Sequence, residues 1–104
     1  MHKGEIWWSE QPKPIGRRPV FILTRDEAVR VRDYITVAMV TTKIRGISAE
    51  VYLKKEDGLS KECVINFDVI NTVAKDSLVE FITTLSEEKL QAAEKALKFA
   101  LDIN

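Results

Sequence analysis

Two arginines, Arg17 and Arg18, open the stretch GRRPVFILT, and the residues PVFIL that follow them carry no polar side chain. A guanidinium held at the mouth of a strand presents a planar fork of donors that matches the oxygens of a phosphate. A second run, TVAMVTTKIRG, ends its apolar stretch in the hydroxyls of Thr41 and Thr42 and the cations of Lys43 and Arg45, and a third, ECVINFDVINTV, carries Asp68. Cations and hydroxyls collected at the ends of apolar strands are the parts of a nucleic-acid phosphate site. Other chemistries are excluded by composition. His2 is the only histidine, so a two-histidine acid/base ribonuclease is ruled out, and the single cysteine, Cys63, can form neither an internal disulfide nor a thiolate metal cluster by itself. Cys63 reads as a small buried hydrophobe.

These residues need elements to hold them. Gly4 to Ser9 is a strand rich in β-formers, with Ile6 and Trp8 on one face and Glu5, Trp7 and Ser9 on the other. EQPKPIG, with Pro12, Pro14 and Gly16, cannot continue a strand or helix and is an exposed connection. Arg17 to Thr24 has a continuous apolar middle, which implies a central strand covered on both faces. TRDEAVRVRD is polar and turn-like. Ile35 to Ile44 is a second long strand of β-branched residues, closed by Arg45 and Gly46. From Ile47 to Leu53 the pattern alternates, with Ile47, Ala49, Val51 and Leu53 on one side; KKEDG then turns the chain into a short strand around Cys63 to Phe67, which Val69 to Val73 extends.

Beyond Asp76 the periodicity changes to about 3.6 residues. Ser86 is placed to cap a helix whose first turn holds Glu87 and Glu88, where the macrodipole favours anions. Leu90, Ala93, Leu97 and Leu101 form its apolar face. Lys89 at the third helical position means that there is no capping box. Short strands and one late helix predict a mainly β fold, a small, strongly bent antiparallel β-barrel with a C-terminal helix.

The chain has 104 residues, 45% hydrophobic and 31% charged, which fits one globular domain over residues 1–104. No apolar run approaches the roughly 20 residues needed to span a bilayer, and MHKGEIWW is strand-like where a signal peptide would have an apolar core, so a cytoplasmic protein is expected. Net charge is zero, yet residues 1–50 carry nine Lys/Arg against six Asp/Glu and residues 51–104 carry seven against ten. A local basic groove is compatible with that asymmetry; a general basic coat is not.

In order and over nearly the whole chain, GEIWWSE, GRRPVFILT, VAMVTTKIRG, CVINFDVINTV and ITTLSEEKL resemble the corresponding segments of the MazF/PemK toxins of type II toxin-antitoxin modules. The resemblance implies an SH3-like barrel that forms a homodimer, cuts single-stranded RNA without a metal or other cofactor, and is silenced by a MazE-like antitoxin whose disordered tail enters the toxin's groove. It aligns Arg18 with the family's catalytic arginine and Thr41 with its catalytic threonine, and it puts Asp68 where the family carries an acid beside the groove. Arg17, Thr42, Lys43 and Arg45 are the accompanying RNA-binding candidates. Transesterification by the ribose 2′-oxygen requires in-line geometry and donors on the nonbridging oxygens, which Arg18 and Thr41 can supply. Arginine stays protonated and is poorly suited to be a general base, and Asp68 reads as a binding residue first and a base second. The first loop, EQPKPIG, is shorter and richer in proline than the polar loop of many relatives, so base preference does not transfer.

The same residues admit structural roles. An Arg18–Asp68 ion pair would close a strand mouth, Thr41 and Thr42 are ordinary β-formers, and Lys43 and Arg45 are typical solvated turn cations. Of Trp7 and Trp8, on opposite faces, one belongs to the core and the other is free to stack on a base. Phe81 and Ile82 form apolar edge surface that a second subunit would cover. Two further functions share the barrel: a gyrase poison like the CcdB proteins, and a silent barrel that binds RNA or antitoxin only. The gyrase poisons share a tryptophan near the end of the last helix, whereas this chain ends KFALDIN with no tryptophan after Trp8.

Overall fold

A computed structural model describes residues 1–104. Six strands, β1 (Glu5–Glu10), β2 (Arg17–Ile22), β3 (Tyr34–Thr41), β4 (Glu50–Leu53), β5 (Cys63–Ala74) and β6 (Leu78–Thr84), are joined by helix α1 (Asp26–Val31) and followed by helix α2 (Glu87–Leu101). The strands form one curled antiparallel sheet in the order β4-β5-β3-β2-β1-β6; the mainly β fold with a C-terminal helix is as the sequence pattern predicts, and the expected barrel is a half-barrel whose edge strands β4 and β6 do not pair.

Alternation along the central strands feeds two apolar clusters. Phe21 and Ala38 join Ile6, Ile65 and Phe67 on the face that Ala93 and Ala96 of α2 cover. Val20, Ile22, Ile35 and Val37 join Val73 and Leu78 in the second cluster. The unbroken apolar middle of β2 therefore is the mark of a strand buried on both faces, as expected. Trp7 packs against the second cluster and meets Phe81 edge-on, with ring centroids 5.9 Å apart.

Helix α2 is capped as its sequence predicts: the Ser86 hydroxyl accepts from the Lys89 backbone N–H at 3.2 Å. Of its expected apolar face, Ala93 is buried and Leu90 and Leu97 pack on the core, but Leu101 in the last turn is half exposed. Gly4, with φ of 90°, lets this helix approach β1, because a Cβ there would lie 2.9 Å from the Leu90 Cδ2.

Four expectations need correction. TRDEAVRVRD, read as a turn, contains α1, whose charged residues surround a two-residue apolar insertion: Ala28 and Val29 are buried, and Val29 belongs to the second cluster. LVEFITT is edge strand β6, which the general change to helical periodicity beyond Asp76 concealed. β3 ends at Thr41 and β4 begins only at Glu50, so Thr42 to Ala49 is a connection and Ile47 is partly exposed. Phe81 is open on β6, whereas Ile82 packs on the first cluster and so is not free edge surface.

Candidate functional site

Sheet register brings the chemistry together. β2 and β3 pair from Ile22–Val37 to Val20–Met39, and beyond that last pair Arg18 of β2 and Thr41 of β3 both continue to the same end of the sheet. Ser9 of β1 pairs with Arg18, and Val64 of β5 with Thr41, so neighbouring strands hold each residue in place. There a cleft of about 870 Å³ opens, and both Arg18 and Thr41 line it.

Arg18 is exposed and engages no carboxylate; its Nη1 donates to the Arg17 carbonyl at 3.3 Å. The remaining donors of the guanidinium are unspent. The Thr41 Oγ1 accepts from the Lys43 backbone N–H at 3.1 Å, which leaves the hydroxyl proton available for an anionic oxygen. Thr42, Lys43 and Arg45 also line the cleft, and neither cation forms an ion pair. The connection that carries them is tied down by Glu50, whose Oε1 accepts from the backbone N–H groups of Arg45 at 3.1 Å and Gly46 at 2.9 Å.

Arg17 lines the cleft but is occupied. It stacks over Trp8, with Cζ 4.9 Å from the ring centroid, donates to Glu80 and lies 3.7 Å from Glu10. Trp8 is thus the tryptophan at the cleft and Trp7 the one packed on the sheet.

Asp68 is the one candidate that the structure does not bring to the cleft wall. Between the pairs Ala38–Ile70 and Met39–Asn66 strand β5 carries extra residues, and this bulge holds Asp68 exposed, its backbone N–H donating to the Asn66 Oδ1 at 2.9 Å. No Arg18–Asp68 ion pair forms.

The far wall is a contribution that sequence reading missed. Gly58, Leu59, Ser60 and Lys61, in the connection from β4 to β5, line the cleft. Gly58 has φ of 101°, and a Cβ there would lie 2.6 Å from the Thr83 Cβ. The Thr83 hydroxyl donates to the Asp57 carbonyl at 3.0 Å and pins the same loop to β6. Only the composition of KEDGLSKE signalled a turn; nothing local showed which surface it would face.

Charge distinguishes this cleft from the rest of the molecule. Five of its lining residues are cationic, Arg17, Arg18, Lys43, Arg45 and Lys61, and none is acidic, in a chain whose net charge is zero. Cys63 also lines it but is buried, and burial, followed by the nearby Asp57 charge, raises its thiol pKa above the ordinary value. No group of three or more His, Cys, Asp or Glu side chains comes together to hold a metal.

The chain is 37% identical over 101 residues to "Probable endoribonuclease MazF5" of Mycobacterium tuberculosis (strain ATCC 25618 / H37Rv), a match covering 96% of this chain and 92% of that protein. The solved structure of Mycobacterium tuberculosis toxin MazF-mt6 superposes with a TM-score of 0.88 at 29% identity, over 96% of this chain and 98% of that one. An endoribonuclease in complex with its cognate antitoxin from Mycobacterial species shares the fold, with a TM-score of 0.88 at 23% identity over 100% of this chain and 97% of that one. The model of the family "PemK-like, MazF-like toxin of type II toxin-antitoxin system" matches residues 2–101, and the chain belongs to that family.

Proposed function

We propose that residues 1–104 act as one toxin domain, a metal-independent endoribonuclease that cleaves single-stranded RNA and is neutralised by a cognate antitoxin. The observation that carries this reading is the cleft with five cations and no carboxylate, lined by both Arg18 and Thr41. The ribose 2′-oxygen attacks the adjacent phosphorus, the bond to the 5′-oxygen breaks, and the products are a cyclic 2′,3′-phosphate and a free 5′-hydroxyl. Arg18 and Thr41 donate to the nonbridging oxygens, whose charge grows in the transition state. Arg18 acts as a donor and not as the base. Lys43, Arg45 and Lys61 hold neighbouring phosphates, Thr42 adds a hydroxyl contact, and Arg17, fixed over Trp8, shapes the wall. Asp68 accepts from base amino groups at the rim.

The same cleft serves the antitoxin, whose acidic residues compete with RNA phosphate for Arg18 as a disordered segment orders on binding. A homodimer covers apolar surface such as Phe81, which is 47% exposed. The protein works in the cytoplasm, where its RNA is; no helix of the structure is long and apolar enough to cross a membrane.

Purified protein incubated with unstructured RNA in EDTA is expected to yield the cyclic phosphate and 5′-hydroxyl ends. Arg18→Ala, Arg18→Lys and Thr41→Val should each slow single-turnover cleavage by about 10²-fold or more, lysine included because a point charge does not reproduce a bidentate contact. Intact RNA, or unchanged cleavage by Arg18→Ala, would refute the reading. Gyrase supercoiling in the presence of the protein separates it from the gyrase-poison alternative and should proceed unaffected. A gel shift without products would identify a binding-only barrel.

A further inference from the structure

A second hollow of about 240 Å³ adjoins the cleft, and Arg18 and Met39 line both. Its other walls include Gln11 and Ile15 from the first loop and Asn71 and Thr72 from β5. At about 30 Å³ per water it has room for about eight waters, enough for one planar base and little more.

Its polar wall is preorganised. Ser9 is fully buried, and its Oγ accepts from the Gln11 Nε2. Nε2 also donates to the Ser77 Oγ at 3.1 Å, while the Ser77 hydroxyl gives its own proton to the Ala74 carbonyl at 2.6 Å. Because Ser77 has spent its proton, it faces Gln11 as an acceptor, which fixes the orientation of the amide. Both amide N–H groups are thereby used, and Oε1 is left as a fixed acceptor with no partner in the protein. The Asn71 side chain, exposed and without a hydrogen bond in the protein, offers a donor and an acceptor across the hollow. Ile15, half exposed, and the partly buried Met39 add apolar surface for a ring face.

We propose that this hollow is a nucleobase subsite: it takes one base next to the phosphate held by Arg18 and reads its Watson–Crick edge with the Gln11 and Asn71 amides. The inference rests on the ribonuclease reading and adds to it the residues that select sequence. A single strand can splay one base away from its neighbours, and shared lining by Arg18 sets that base beside the reacting phosphate. The locked Gln11 amide loses little freedom on binding, which favours discrimination over mere adhesion.

The test is cleavage of a randomised RNA pool, with sequencing of the new ends, by the wild type, Gln11→Ala and Asn71→Ala. Wild-type cuts are expected to show a strong base preference at one position beside the broken bond. Each variant should lower that preference by about tenfold while leaving preferences at other positions in place. If both variants keep the wild-type preference, the subsite is overturned and the ribonuclease reading stands. If the wild type leaves the pool intact, the ribonuclease reading fails and takes the subsite with it. Should Gln11→Ala not fold, Asn71→Ala decides alone, since its exposed side chain makes no hydrogen bond in the protein.

Discussion

Consecutive arginines at one strand mouth have different fates. Arg17 is held by Trp8, Glu80 and Glu10, whereas Arg18 donates only to a backbone carbonyl and so keeps its fork for a ligand. Register explains the split, because Arg17 pairs with Glu10 and reaches Glu80 of β6, whereas Arg18 pairs with the uncharged Ser9. Cys63 shows burial overriding position. Although it lines the cleft, it is 5% exposed and its thiol pKa is raised, so little thiolate is present near neutral pH. Iodoacetamide at pH 8 should therefore alkylate Cys63 far more slowly in the native protein than in urea, as a mass-shift time course would read. Equal rates in the two states would contradict the burial of Cys63.

At the scale of elements, the connection between β4 and β5 supplies a wall of the cleft and depends on one left-handed glycine. Gly58→Ala meets both a positive φ and the Thr83 side chain, and it should cost about 1–3 kcal/mol, read as a lower urea midpoint with unchanged slope. The same variant should bind RNA more weakly, because Leu59, Ser60 and Lys61 move with the loop. Strand β5 departs from regular pairing through its bulge, which holds Asp68 exposed and off the cleft wall. Helix α1 is the opposite case. Its role is packing through Ala28 and Val29, and its exposed charges hid that from a reading of polarity alone.

The whole molecule balances 16 basic against 16 acidic residues while gathering cations at one cleft. Arg18, Lys43, Arg45 and Lys61 line it without an ion pair, so binding of a single strand should release counterions from about four phosphates. A slope of log K against log salt near −3 is expected, at roughly −0.7 per phosphate. Lys61→Ala should make the slope shallower by about 0.7, measured by fluorescence anisotropy across a salt series. An unaltered slope would remove Lys61 from the phosphate track. The sequence-wide asymmetry of charge hinted at such a cleft but did not locate it, since Lys61 comes from the half of the chain with excess acid.

The amino-acid sequence by itself determined a central strand buried on both faces, the capped C-terminal helix and the resemblance that points to Arg18 and Thr41. Those features are written in local periodicity, in cap chemistry at Ser86 and in motifs a few residues long, all of which act between near neighbours on the chain. Tertiary structure alone decided that Lys61 and the Gly58 loop face the same cleft, that Arg17 is occupied by Glu80, that Asp68 stands out on a bulge, and that Gln11 is locked by Ser9 and Ser77. Each of those outcomes depends on sheet register and on contacts between residues distant in the chain, and a side chain's own neighbours in sequence carry no record of which strand will lie beside it.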